Sequence, residues 1–183
     1  GYHRRHNSMT ASIKKKIDSG KLGKIVSANI MCWLYKHKEW FNEKSFVEVK
    51  TSGSTGTSKV IKIQKLHMIQ SAKATGAFFN LVEGTTALLC MSPTYIAGKM
   101  MLVRAVILGW HLDVVEAVSN PLKNRDLHYD FSAMVPLQLQ NSLADIHKIK
   151  KIIIGGGAVS KDLLKEIKQV KTEIFATYGM TET

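Results

Sequence analysis

Acidic side chains are scarce in this chain. Only 14 Asp and Glu stand against 26 Lys and Arg, giving a formal charge of +12 at pH 7. That imbalance excludes an acidic surface and directs attention to anionic partners. Cysteine is nearly absent: Cys32 and Cys90 each sit in apolar sequence. A disulfide framework and a cysteine metal cluster are thereby excluded, and buried thiols in a reducing, cytoplasmic setting are expected. Proline occurs three times and there is no low-complexity tract, which excludes a disordered or fibrous chain. No apolar run reaches the roughly 18 residues that a membrane-crossing helix needs. The stretch from Gly1 to Ser8 is polar and basic, without the apolar segment of a secretory leader.

What is present is an ordinary globular composition, 45% hydrophobic over 183 residues, enough for one domain with a proper core. Residues 1–25 read as a basic arm or short helix, and residues 26–183 as an α/β core. Ile30, Trp33, Leu34, His37, Trp40 and Phe41 recur at helical spacing. Strands are expected over 46–50, 60–64, 86–91, 112–116, 129–135, 149–154 and 173–176. Helices are expected over 66–80, 97–108, 136–144 and 160–170, the third opened by Pro136 and the last capped by Ser160. Strands alternating with helices predict a layered, mostly parallel sheet flanked by helices.

The densest cluster of polar chemistry is Thr51-Ser52-Gly53-Ser54-Thr55-Gly56-Thr57-Ser58-Lys59, directly after the first expected strand. Glycines let the main chain approach a polyanion, hydroxyls and N–H groups supply donors, and the lysine adds charge. A nucleotide triphosphate is the ligand such a loop suits. The spacing is not that of the P-loop, since the two glycines stand three apart and no Ser or Thr follows Lys59. Taken alone, the segment has a plain solvated turn as its lesser alternative. Two more segments follow in order: Gly155-Gly156-Gly157-Ala158 after an apolar strand, and Tyr178-Gly179-Met180-Thr181-Glu182 after another. Parallel sheets bind ligands at the carboxyl ends of their strands, so all three segments are expected on one rim.

This ordered set, T-S-G-S-T-G-x-x-K, then G-G-G-A, then Y-G-M-T-E, resembles the adenylate-forming superfamily. Its members are the acyl-CoA synthetases, the luciferases and the adenylation domains of peptide synthetases. The resemblance covers roughly residues 30–183 and implies part of that superfamily's large N-terminal domain. It also implies that the family's ribose-binding aspartate, hinge and small C-terminal domain have no counterpart in these residues. The reaction implied is attack of a carboxylate on the α-phosphorus of ATP, with pyrophosphate leaving, followed by transfer to coenzyme A. Thr51, Ser52, Gly53, Ser54, Thr55, Gly56 and Lys59 would hold the β- and γ-phosphates. Thr181 would bond the α-phosphate, and Glu182 would carry Mg²⁺, a hard cation suited to carboxylate and phosphate oxygen. Lys59, Thr181 and Glu182 are thus the implied catalytic set, while Gly155, Gly156, Gly157, Ala158 and Tyr178 would flank adenine.

The acid site falls by the same resemblance on Tyr95, Gly98, Arg104 and Gly179. The family often has histidine where this chain has Tyr95. Arg104 lies in an otherwise apolar helix, where a buried cation is costly unless an anion meets it. In ligases of this superfamily that act on o-succinylbenzoate, a menaquinone precursor, a cation near this position meets the second carboxylate, and the chain looks most like those. A structural ion pair, or an arginine reaching out to water, would explain Arg104 as well. His67, in the helix after the loop, also matches the family pattern; a core histidine is expected in preference to a catalytic one. ATP, Mg²⁺, coenzyme A and a small carboxylic acid are the implied partners. Another acyl- or aryl-CoA ligase or an adenylation domain is the alternative the resemblance leaves. Neither membrane nor nucleic acid is expected, although the charge keeps a non-catalytic nucleotide- or nucleic-acid-binding module as a lesser rival, and a homo-oligomer stays open.

Overall fold

The computed structural model describes residues 45–50 and 59–177. They belong to a compact unit running from Glu43 to Thr183. The expected basic arm and the helix over Ile30 to Phe41 lie outside the described residues.

Strands β1 (Phe46–Lys50) and β2 (Val60–Gln64) pair antiparallel, with Phe46 opposite Gln64 and Lys50 opposite Val60. Together they form a two-stranded sheet of their own. This corrects the expectation that the segment from Thr51 to Lys59 follows a strand of the parallel sheet: it links the two strands of a hairpin. The physical reason is visible in β2. Its exposed and half-buried residues alternate, as in a strand with one wet face.

The parallel sheet has five strands, in the order β4-β3-β5-β6-β7. They are β3 (Thr86–Leu89), β4 (His111–Val114), β5 (Tyr129–Met134), β6 (Ile149–Ile154) and β7 (Glu173–Ala176). Every pairing among them is parallel. The carboxyl halves of β3 and β6, Ala87 to Leu89 and Ile152 to Ile154, are apolar runs because both faces are covered there. On one face, Leu88, Cys90, Met134, Ile152 and Ile154 meet Leu139, Ile146 and Leu163 from helices α3 (Pro136–Asn141), η1 (Leu143–Lys148) and α4 (Lys161–Ile167). The other face carries Phe131, whose ring lies 5.5 Å from Phe79 and 5.4 Å from Trp110. Phe79 closes helix α1 (Lys65–Phe79), and Trp110 follows helix α2 (Ile96–Leu108). α1 and α2 approach closely at Gly76, where a Cβ would lie 2.9 Å from a Leu108 methyl.

The caps obey local chemistry. Ser160 accepts a 3.1 Å bond from the Leu163 N–H, as expected for an N-cap. Gly109, at φ +70°, ends α2 in the left-handed conformation. The helix expected over 136–144 is shorter. It stops at Asn141, because the buried Ser142 turns its hydroxyl to Asn120 at 3.3 Å and the chain continues as 3₁₀. The helix expected over 160–170 likewise ends at Ile167.

At the amino ends of the strands, Asp130 accepts from both the N–H and the hydroxyl of Thr86, at 2.8 and 2.7 Å, and from Lys150 at 2.8 Å. That network ties β3, β5 and β6 together. It leaves the carboxyl ends free for chemistry.

Candidate active site

The chain enters the sheet at β3, goes to one edge as β4, then returns to the far side of β3 as β5. The carboxyl ends of β3 and β5 therefore bound a topological switch point, the usual crevice for ligands in open parallel sheets. Four segments surround it: 90–95 after β3, Val135 and Pro136 after β5, Gly155 to Ala158 after β6, and Thr177 after β7.

Gly98 sits in the first turn of α2, pressed on the segment leaving β3. A Cβ there would stand 2.3 Å from the Ser92 carbonyl oxygen and 2.9 Å from that of Met91. Only glycine allows the helix to start so close to the sheet end. Tyr95 precedes the helix in an extended conformation and is 46% exposed, so its ring is free to meet a ligand. Arg104, further along α2, points toward α1. Its Nε donates to Thr75 Oγ1 at 3.2 Å, and one terminal nitrogen lies 3.8 Å from Met101 Sδ. The Thr75 hydroxyl in turn donates to Ser71 O at 2.9 Å. Among the described residues no carboxylate pairs with Arg104. Burial alone pulls the guanidinium pKa down to about 10, which still leaves it charged at neutral pH.

The glycine turn after β6 is open to solvent at Gly156, Gly157 and Ala158. Gly155 N–H donates to Met134 O at 3.2 Å, and Gly156 is left-handed at φ +78°. A Cβ on Gly155 would come within 2.8 Å of Thr177 Oγ1. Adjacent parallel strands thus bring the Gly155 turn and Thr177 side by side. Lys59 lies exposed just before β2. Thr51, Ser52, Gly53, Ser54, Thr55, Gly56, Tyr178, Gly179, Thr181 and Glu182 lie outside the described residues. Among the described residues no group of three His, Cys, Asp or Glu side chains could hold a metal ion.

His67 corrects an expectation. It is exposed on the first turn of α1 rather than buried, because Met68, its neighbour, is the residue that turns into the core. Two residues that sequence reasoning passed over stand close to the site. Gln138 is buried and donates to Cys90 O at 2.8 Å and Val118 O at 3.0 Å, while its own Oε1 accepts from Val135 N–H at 3.3 Å. The available signal was a Gln two places after Pro136, the position that bonds back to a helix start. Thr177 is the other, and only its place before Tyr178 hinted at it.

Residues 49–183 match the AMP-binding enzyme family. The chain belongs to that family. A probable 2-succinylbenzoate–CoA ligase of Mycobacterium tuberculosis is 30% identical over 150 residues, covering 74% of this chain and 38% of that protein. The 2-succinylbenzoate–CoA ligase of Staphylococcus aureus is 28% identical over 142 residues, or 73% of this chain and 28% of that one. An acyl-CoA synthetase (AMP-forming)/AMP-acid ligase II-like protein of Dyadobacter fermentans superposes with a TM-score of 0.73 at 38% identity, covering 79% of this chain and 43% of that one. O-succinylbenzoate coenzyme A synthetase of Bacillus subtilis, solved with ATP and magnesium, gives a TM-score of 0.64 at 25% identity, over 73% of this chain and 30% of that one. The chain thus spans well under half the length of these relatives. The fold is that of part of the N-terminal domain of adenylate-forming enzymes, as the resemblance implied. No helix among the described residues is long and apolar enough to cross a membrane.

Proposed function

We propose that this chain is the ATP- and acid-binding core of an ATP-dependent acid–CoA ligase of the cytoplasm, and that its acid is o-succinylbenzoate, a menaquinone precursor. The observation that carries the choice of acid is Arg104, a half-buried guanidinium on α2 without a carboxylate partner among the described residues. A second substrate carboxylate supplies the missing anion, whereas an apolar fatty-acid tunnel would leave the cation uncompensated. Tyr95, Gly98 and Gly179 complete the acid site.

In this reading Thr51, Ser52, Gly53, Ser54, Thr55, Gly56 and Lys59 hold the terminal phosphates. The Gly155 to Ala158 turn and Tyr178 flank adenine, and Thr181 bonds the α-phosphate. The open turn suits a flat ring, since Gly156 and Gly157 present main chain without side chains. Glu182 would hold Mg²⁺, which neutralises phosphate charge when bound. The acid's carboxylate oxygen attacks the α-phosphorus, a P–O bond forms, and the bond to pyrophosphate breaks. Holding the two reactants in line is the protein's main contribution to such a step. The thiol of coenzyme A then displaces AMP from the acyl carbon.

The test is calorimetric titration of the chain with o-succinylbenzoate in the presence of ATP, for wild type and Arg104→Ala. Loss of a charge-assisted contact predicts weaker o-succinylbenzoate binding by about 10- to 100-fold, with ATP binding nearly unchanged. Equal weakening of both ligands would give Arg104 a structural role. Tighter binding of a long-chain fatty acid than of o-succinylbenzoate would overturn the choice of acid.

A further inference from the structure

We infer that Gln138 is a positioning residue for the acid: its buried amide ties together the chains leaving β3, β4 and β5 at the switch point, and so fixes where α2 begins and where Tyr95 stands. The inference rests on the acid site proposed above and adds to it a residue that acts through the backbone.

The ladders of the sheet stop short of the crevice. β3 pairs with β4 as far as Leu89 opposite Val114, and with β5 as far as Leu89 opposite Ala133. Beyond these pairs the chain from β3 runs to α2, and the chain from β5 runs into α3. Gln138 spans the gap. Its side-chain N–H groups donate to the carbonyl of Cys90, the first residue past β3, at 2.8 Å, and to that of Val118, past β4, at 3.0 Å. Its Oε1 accepts from the N–H of Val135, the first residue past β5, at 3.3 Å. Both donors and the acceptor are thus engaged, on a residue only 5% exposed. Two residues after Cys90, Ser92 supplies the carbonyl on which α2 rests. That oxygen accepts from Tyr95 N–H at 3.3 Å, and a Cβ on Gly98 would stand 2.3 Å from it. A shift at Cys90 therefore passes through two peptide units to the start of α2, because the contact at Gly98 leaves no slack. Ser142, one turn beyond Gln138, provides a control. Its hydroxyl lies 3.3 Å from Asn120 Oδ1, so it braces the segment past β4 and neither Cys90 nor Val135.

The experiment titrates the chain calorimetrically with ATP alone and with o-succinylbenzoate in the presence of ATP, and follows amide hydrogen exchange by NMR. Gln138→Met fills the space without a donor. It is expected to weaken o-succinylbenzoate about tenfold, the worth of one or two hydrogen bonds, and to leave ATP within about twofold. In the same variant the amides of Tyr95 and Lys99 should exchange about tenfold faster. Those of Gly84 and His111, bonded at the amino ends of the sheet to Gly109 O and Thr85 O at 2.9 Å, should keep their rates. Gln138→Glu keeps the shape and, as the neutral acid that burial favours, one of the two donors, so it should fall between, about threefold weaker for the acid. Ser142→Ala should lower the melting temperature without moving either readout. An unchanged affinity for the acid, a loss of ATP as large as that of the acid, faster exchange at the amino ends as well, or the same effects from Ser142→Ala would overturn the positioning role. A wild-type chain that does not bind o-succinylbenzoate would sink the acid site and the inference with it. An exchange change still confined to Tyr95 and Lys99 would then show that the acid, and not the brace, was misread.

Discussion

A guanidinium sunk between two helices, with a hydroxyl and a thioether for company, lowers the stability of the fold that carries it. Arg104 is so placed, and the cost shows in a pKa pulled down to about 10 by burial. Arg104→Met keeps an unbranched, flexible side chain, though a shorter one, and removes the charge. It is expected to leave stability unchanged or raise it by up to about 1 kcal/mol, as apolar replacements of buried charges often do. A clear fall in the urea midpoint would show that Arg104 is structural. Gly98 presents the opposite case, a residue whose smallness is demanded by the backbone. With a Cβ only 2.3 Å from Ser92 O, Gly98→Ala must displace the start of α2 from the end of β3. Overpacking of this kind costs about 1–3 kcal/mol. Denaturant unfolding reads it directly, and a variant as stable as wild type would disprove the close approach. Both residues were singled out in the sequence as expected acid-site positions. Their packing partners, Thr75 and Ser92, were not, because no local pattern marks which turn of another element will arrive beside them.

At the scale of elements, the alternation of strands and helices was readable because each obeys a different period. Ala87 to Leu89 and Ile152 to Ile154 are unbroken apolar runs, and both proved to be buried parts of strands. The antiparallel hairpin was misassigned to the same sheet although its own signal was present: Val60-Ile61-Lys62-Ile63-Gln64 alternates, which a strand covered on both faces does not. Strand order was not legible at all, since it is fixed by contacts far apart in sequence. One such contact has a pH signature. Asp130 on β5 is bonded first by Lys150 of β6, then by the backbone N–H of Thr86, and its carboxyl pKa falls to about 2. A depressed carboxyl pKa gives stability that is complete above the unfolded value near 4 and is lost as the pH falls toward 2. The melting temperature of wild type should therefore drop across that window more than that of Asp130→Asn. Parallel curves for the two proteins would remove Asp130 from the acid response.

For the whole molecule the governing quantity is charge. A formal +12 draws any polyanion, so affinity for ATP measured at one salt concentration cannot separate a built site from a basic surface. The two differ in how they answer to salt. A surface that neutralises about six phosphates of duplex DNA releases their condensed counterions, and its affinity falls by about 10³ between 50 and 200 mM salt. A single nucleotide has no such counterion atmosphere, and part of its binding to the proposed site comes from adenine between the Gly155 turn and Tyr178, which salt does not screen. Affinity for ATP is therefore expected to fall far less steeply with salt than affinity for a DNA duplex titrated in the same buffers. A further contrast belongs to the same experiment: saturating ATP should not displace DNA held only by scattered lysines. DNA binding that survives the higher salt, or that ATP competes away stoichiometrically, would place nucleic acid in the site and remove the ligase reading. Retention of ATP with loss of DNA would leave the positive charge as a field that speeds the arrival of anionic substrates, with specificity in the turns at the carboxyl ends of β3, β6 and β7.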